Sequence, residues 1–162
     1  MKKIIFILGI VFSVIHADQT TDLRFGVGEV KAGNEAATSF GIGFGGTTYL
    51  ENNFILGLVF NFSYADIKIN NKDENLYGYS SDMKLGYSLH QYGLDSYIIG
   101  SALYQSIGSI NGVGVGYGAG IDYRFTEEIA LVLEYKTYDI TTEKLSTNYT
   151  YDLATGFLKF IF

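Results

Sequence analysis

The chain has 162 residues, a formal net charge of −6, 20 Gly, no Cys, Pro or Trp, and an aromatic fraction of 16% supplied by Tyr and Phe. Such a length reads as one domain. Without Cys there can be no disulfide, thiolate metal site or lipid-anchored cysteine, and the acidic balance disfavours nucleic acid as a partner.

The chain opens with Lys2 and Lys3, an apolar run from Ile4 to Ile15, and Ala17 ahead of Asp18. This order of charge, apolar stretch and small residue is that of a secretory leader. The run is shorter than the ~20 residues a spanning helix needs. Residues 1–17 are therefore expected to be a cleaved signal peptide and 18–162 the exported domain; losing Lys2 and Lys3 takes the net charge to −8.

Beyond Asp18 apolar residues recur at every second position, the period of a strand rather than a helix. Leu23, Phe25 and Val27 alternate with Arg24, Gly26 and Gly28, and a polar connection spans Lys31 to Thr38. Phe40, Ile42 and Phe44 alternate with glycines, and Glu51-Asn52-Asn53 reads as a turn. The strongest run sets Phe54, Leu56, Leu58, Phe60, Phe62 and Tyr64 against Ile55, Gly57, Val59, Asn61, Ser63 and Ala65, followed by a polar segment from Asp66 to Asn75.

The fourth run carries Met83, Leu85, Tyr87 and Leu89 opposite Asp82, Lys84, Gly86, Ser88 and His90. Gln91 to Asp95 turns the chain into a fifth run, Ser96 to Ile107, whose faces do not separate. After a loop at Gly108 to Gly112, Val113, Val115, Tyr117, Ala119, Ile121, Tyr123 and Phe125 alternate with Gly114, Gly116, Gly118, Gly120, Asp122 and Arg124. Past Thr126-Glu127-Glu128, Ile129, Leu131, Leu133 and Tyr135 oppose Ala130, Val132, Glu134 and Lys136; after Thr141 to Tyr149 comes a closing strand from Tyr151 to Phe162.

Eight strands with longer and shorter connections in alternation predict an all-β fold, a closed antiparallel up-and-down barrel. About 145 mature residues allow ~18 per strand and connection, enough for tilted transmembrane strands of ~9–11 residues. Alternation alone leaves open which face is inside, but an eight-stranded interior is only just wide enough for side chains to fill. The Gly, Ala and Ser face with its scattered charges fits there, which turns Phe54 to Phe62 outward to lipid.

In lipid the sheet must close, because a free edge would leave backbone groups unpaired. Tyrosines near the strand ends predict two interfacial girdles, Tyr49, Tyr92, Tyr97 and Tyr123 at the short-turn rim and Tyr64, Tyr77, Tyr79, Tyr138, Tyr149 and Tyr151 at the loop rim. An even strand number puts both termini on the short-turn side, which in such barrels faces the periplasm.

The inward face carries Arg24, Asp82, Lys84, Asp122, Arg124, Glu134, Lys136 and Lys159. Charges in a narrow lumen must pair or be hydrated. An ionic plug centred on Asp82, Lys84, Glu134 and Lys136 is the favoured reading, and a selective pore the alternative. Ser88 and His90 could form a nucleophile and base, but beside a short turn they are better read as polar rim residues. Gly41 to Gly46 matches a dinucleotide fingerprint only formally, since a strand follows it instead of a helix. Asn148-Tyr149-Thr150 matches a glycosylation acceptor, to which a bacterial barrel loop gives little weight, and Asn70 to Asn75 lacks the Gly and terminal Glu of a calcium loop. No metal, cofactor or catalytic site is expected.

The closing strand ends with Leu158, Phe160 and Phe162 on one face, which resembles the C-terminal signal that outer-membrane barrels present to their assembly machinery. From Asp22 to Phe162 the chain resembles the small barrels of the OmpA transmembrane-domain, OmpX and opacity-protein kind. The resemblance implies an integral protein of the Gram-negative outer membrane with a structural or cell-surface role. Its implied partners are lipid and lipopolysaccharide, the barrel assembly machinery and any surface ligand met by the loops; a monomer is the simplest state. The peptidoglycan-binding domain of full-length OmpA-like proteins does not follow the closing strand, so a cell-wall tether is not expected. A narrow solute channel is the alternative, and a lipid-modifying or proteolytic enzyme lacks a credible set of acid, base and nucleophile.

Overall fold

Period-two alternation gives eight strands in the computed structural model, which describes residues 18–32, 35–69, 72–108, 110–142 and 148–162. They are β1 (Asp18–Ala32), β2 (Glu35–Tyr49), β3 (Phe54–Ile69), β4 (Lys72–Leu89), β5 (Leu94–Ile107), β6 (Ile110–Arg124), β7 (Ile129–Thr142) and β8 (Asn148–Ile161). Residues 1–17, read from the sequence as a leader, lie outside the described residues.

Each strand pairs antiparallel with its sequence neighbours, and β8 pairs with β1 to close the barrel. Phe162 and Thr21 exchange backbone hydrogen bonds at that seam. The paired residues Tyr77, Tyr64, Phe40, Val27, Gly156, Leu133, Ile121 and Ser96 lead around the barrel and back to Tyr87 on β4, ten residues from the start. A stagger of that size over eight strands goes with the ~35–45° tilt of closed barrels.

The bulky face is outside. Phe25, Met83 and Val115 are 46%, 66% and 71% exposed, whereas Arg24, Asp82 and Lys136 are buried in the lumen. Only lipid can solvate an apolar belt of this extent around a closed sheet.

The rim formed by the β1–β2, β3–β4, β5–β6 and β7–β8 hairpins differs from the sequence expectation. The polar stretches read as loops at 31–38, 66–75 and 108–112 are largely strand: Lys31 pairs with Ala36, Asp66 with Asn75, Lys68 with Asp73 and Ile107 with Ile110. Beyond the lipid, outward positions need no longer be apolar, so Asp66 and Lys68 look like loop residues while Ile67 between them still packs inward. At the opposite rim Asn52 and Asn53 take positive φ in the β2–β3 turn, a conformation Asn tolerates, and Gly93 does so between β4 and β5.

The girdle assignment needs correction too. Tyr64, Tyr77, Tyr79, Tyr92 and Tyr123 point outward, but Tyr49, Tyr97, Tyr138 and Tyr151 are buried in the lumen, and Tyr149 hydrogen-bonds inward to Gln105. Parity decides this: Tyr138 lies two residues from Lys136, and Tyr151 shares its face with Lys159. Placement along a strand without attention to face mistook lumen tyrosines for interfacial ones.

Candidate functional site

Seven of the eight charges read from the sequence meet in one network. Lys136 Nζ lies 2.6 Å from Asp82 Oδ2 and 3.6 Å from Glu134 Oε2. Glu134 Oε1 accepts from Lys84 Nζ and from Arg24 Nη1 at 3.2 Å, and lies 3.0 Å from Tyr97 OH. Arg24 Nε donates to Asp22 at 2.5 Å, and Lys159 Nζ lies 2.6 Å from Asp122 and 3.9 Å from Asp22. Tyr97 OH donates to Asp122 and so ties the two ends together.

The network is balanced: carboxylates Asp22, Asp82, Asp122 and Glu134 face cations Arg24, Lys84, Lys136 and Lys159, all buried. Bringing these charges out of water is costly, and pairing each with an opposite charge and further hydrogen bonds offsets that cost. Asn61 and Ser101 add hydrogen bonds to Asp82, and Ser101 also meets Tyr138 OH at 3.0 Å.

Arg124 stands apart, at the rim that carries the short turns. Its Nη2 donates to both oxygens of Asp95, at 3.2 and 3.0 Å, and its guanidinium lies 4.9 Å over the Tyr49 ring. Tyr49 OH and Ser88 Oγ also donate to Asp95. Ser88 is therefore committed to a carboxylate, while His90, in the exposed turn, lies with its ring 5.2 Å from that of Tyr49. The pair is not arranged as nucleophile and base. Among the described residues no group of three or more His, Asp or Glu is placed to hold a metal ion.

Asp22, Asp95 and Tyr97 were not among the sequence candidates. Asp22 has the parity of Arg24 and Asp95 that of Tyr97, so the alternation itself carried the signal. On β5 it was obscured because Ser96, Gly100 and Ala102 face out while Tyr97, Ile99 and Leu103 face in, against the pattern of small residues inside that β6 follows.

Glycines leave room for the network. A Cβ on Gly118 would lie 2.8 Å from Lys136 Cγ, and one on Gly120 would lie 2.6 Å from Tyr97 Cε2. The inward glycines of β6 are thus a smooth wall against which side chains from β5 and β7 lie. The internal cavity beside Asn61, Lys136 and Thr155 measures about 10 Å³, the space of a single water.

A closed eight-stranded barrel with an apolar exterior and paired charges within is an integral membrane β-barrel. The chain belongs to the outer membrane protein beta-barrel domain family, whose pattern matches residues 4–157, and it is accordingly a protein of the outer membrane. No curated protein sequence matches it.

Among solved structures, Neisserial surface protein A superposes with a TM-score of 0.63 at 15% identity, over 90% of this chain and 99% of that one. Ail, the attachment invasion locus protein of Yersinia pestis, solved with the heparin analogue sucrose octasulfate, gives 0.58 at 12% identity, over 90% and 99%. The outer membrane enzyme PagL gives 0.57 at 11% identity, over 85% and 97%. These likenesses share the fold.

Proposed function

We propose that the protein is a structural and surface-exposed outer-membrane barrel whose lumen is closed, with its outer hairpins presented to the surroundings. One observation carries this reading. Among the described residues the lumen charges neutralise one another, and the internal cavity beside Asn61, Lys136 and Thr155 is no larger than a water. A selective pore needs charges that face water and a path wide enough for an ion.

The same reading assigns no catalytic role. PagL is an enzyme on this fold, but here Ser88 Oγ donates its hydrogen bond to Asp95 and His90 lies against a tyrosine ring. Contact with lipopolysaccharide, insertion by the barrel assembly machinery with Leu158, Phe160 and Phe162 as its signal, cleavage after residue 17 and a monomeric state belong to the proposal. Closure of the sheet supports the monomer, since β8 pairs with β1 and leaves no long free edge.

Ligands at the outer rim would meet an acidic surface. Glu29, Glu35, Asp66, Asp73, Glu74, Asp139 and Asp152 outnumber Lys31, Lys68 and Lys72 on the described hairpins. A sulfated polyanion of the kind bound to Ail would be repelled here, so a heparin column should not retain the protein at low salt. Retention would reverse that expectation.

The reading is tested by single-channel recording of the refolded chain in a planar bilayer. Silence in the wild type is the expected result. Steady conductance would mean a hydrated lumen and would establish the channel alternative instead.

A further inference from the structure

The charge network fills only the middle of the lumen and the part toward the short-turn rim. Toward the hairpin rim the interior is mainly apolar, with Val30, Ile67, Leu76, Ile107, Ile140 and Leu153 packed together from six strands, and with Gln105, Tyr138 and Tyr151 as the polar side chains buried among them. Strand β6 contributes glycines there: a Cβ on Gly112 or Gly114 would lie 2.7 or 2.6 Å from the Ile140 side chain. Ile140 therefore lies flat on the β6 backbone, and the collar closes without a bulky residue from that strand.

The small cavity lies between collar and charges. Asn61 Oδ1 and Thr155 Oγ1 border it, buried and without hydrogen-bond partners in the protein. Polar atoms so placed are satisfied by water. Water can thus stand on the charged side, whereas an ion moving outward would have to shed most of its hydration shell among aliphatic side chains interrupted only by Gln105, Thr142, Tyr138 and Tyr151.

We propose that the apolar collar is a second seal, independent of the charge network, and that it keeps the barrel tight to ions even when the network is broken. The proposal rests on the closed-lumen reading above and deepens it. Hydrophobic constrictions block ions because dewetting removes the solvent that carries them, and an unpaired charge in an apolar medium is strongly disfavoured. Loss of a carboxylate would let water into the middle of the lumen without opening the hairpin end.

The test is single-channel recording on four chains: wild type, Glu134→Ala, a collar variant with Leu76→Ser and Ile140→Ser, and all three changes together. Folding is checked for each by the heat-dependent shift in gel mobility. Glu134→Gln replaces Glu134→Ala, and Leu76→Ala with Ile140→Ala replaces the serines, where the first choice does not fold. Wild type, the Glu134 variant and the collar variant should each be silent, and the combined variant should show discrete openings.

Openings in the Glu134 variant alone, at the level of the combined variant, would overturn the second seal and leave the charges as the whole barrier. A folded combined variant that stays silent would equally remove the collar as the remaining barrier. Conductance in the wild type is distinct from both, because it would overturn the closed-lumen reading itself.

Discussion

Glu134 is the residue on which the lumen's balance turns. Its Oε1 accepts from Arg24 and Lys84 and lies beside Tyr97 OH, and its Oε2 faces Lys136. Removing it leaves four buried cations against three carboxylates, and breaking a buried pair by deleting one partner costs about 3–5 kcal/mol. Glu134→Ala should lower the unfolding free energy by roughly that amount, and Glu134→Gln by less, because an amide oxygen still accepts from Lys84. Arg124→Ala should cost about 1 kcal/mol or less, since Arg124 is 20% exposed and Asp95 keeps Tyr49 and Ser88 as donors. Urea midpoints in lipid vesicles measure all three. Equal losses for Glu134→Ala and Arg124→Ala would mean that the central network contributes no more than a rim pair.

At the scale of the element, β6 separates two uses of glycine. A methyl added at Gly116 would lie 2.4 Å from Tyr138 Cδ1 and 2.5 Å from Thr137 O, so ring and backbone must both shift. Gly100 on β5 faces lipid, and an added methyl there meets nothing within 4 Å. Gly116→Ala should therefore destabilise by about 1–3 kcal/mol, and Gly100→Ala should stay within about 0.5 kcal/mol of wild type. Similar unfolding midpoints for the two variants would refute the wall that β6 is argued to form.

The same contrast bears on what was legible in the sequence. Strand number, closure and the lipid face followed from period two and from the volume of an eight-stranded lumen. Parity turns the eight charges read from the sequence inward; seven of them are buried in the lumen and Arg124 is partly exposed at the rim, while Asp22 and Asp95 join them. Their partners were not legible, since Glu134 and Arg24 are far apart in sequence and meet across β1, β7 and β8 only after closure at a particular stagger. The collar was hidden for another reason. Ile67, Leu76 and Ile107 occupy inward positions inside segments whose outward residues are polar or small, and the rule that small residues point inward holds only where charges and glycines share the space.

For the whole molecule, the two rims make an orientation that can be tested. Strands β3 and β4 run past the apolar belt at one rim, where Asp66, Lys68 and Asp73 are exposed, while at the other rim the connections are tight turns such as 125–128. In barrels of this kind the short turns face the periplasm, and polar side chains facing outward on a strand are stable only beyond the lipid. The chain contains no Cys, so a single introduced thiol reports one position. Lys68→Cys should react with a membrane-impermeant maleimide on intact cells, and Glu127→Cys should react only after the outer membrane is permeabilised. Both positions are exposed and outside the charge network, so neither change should disturb folding. Labelling of Glu127→Cys on intact cells, with Lys68→Cys protected, would invert the barrel and place the acidic hairpins in the periplasm.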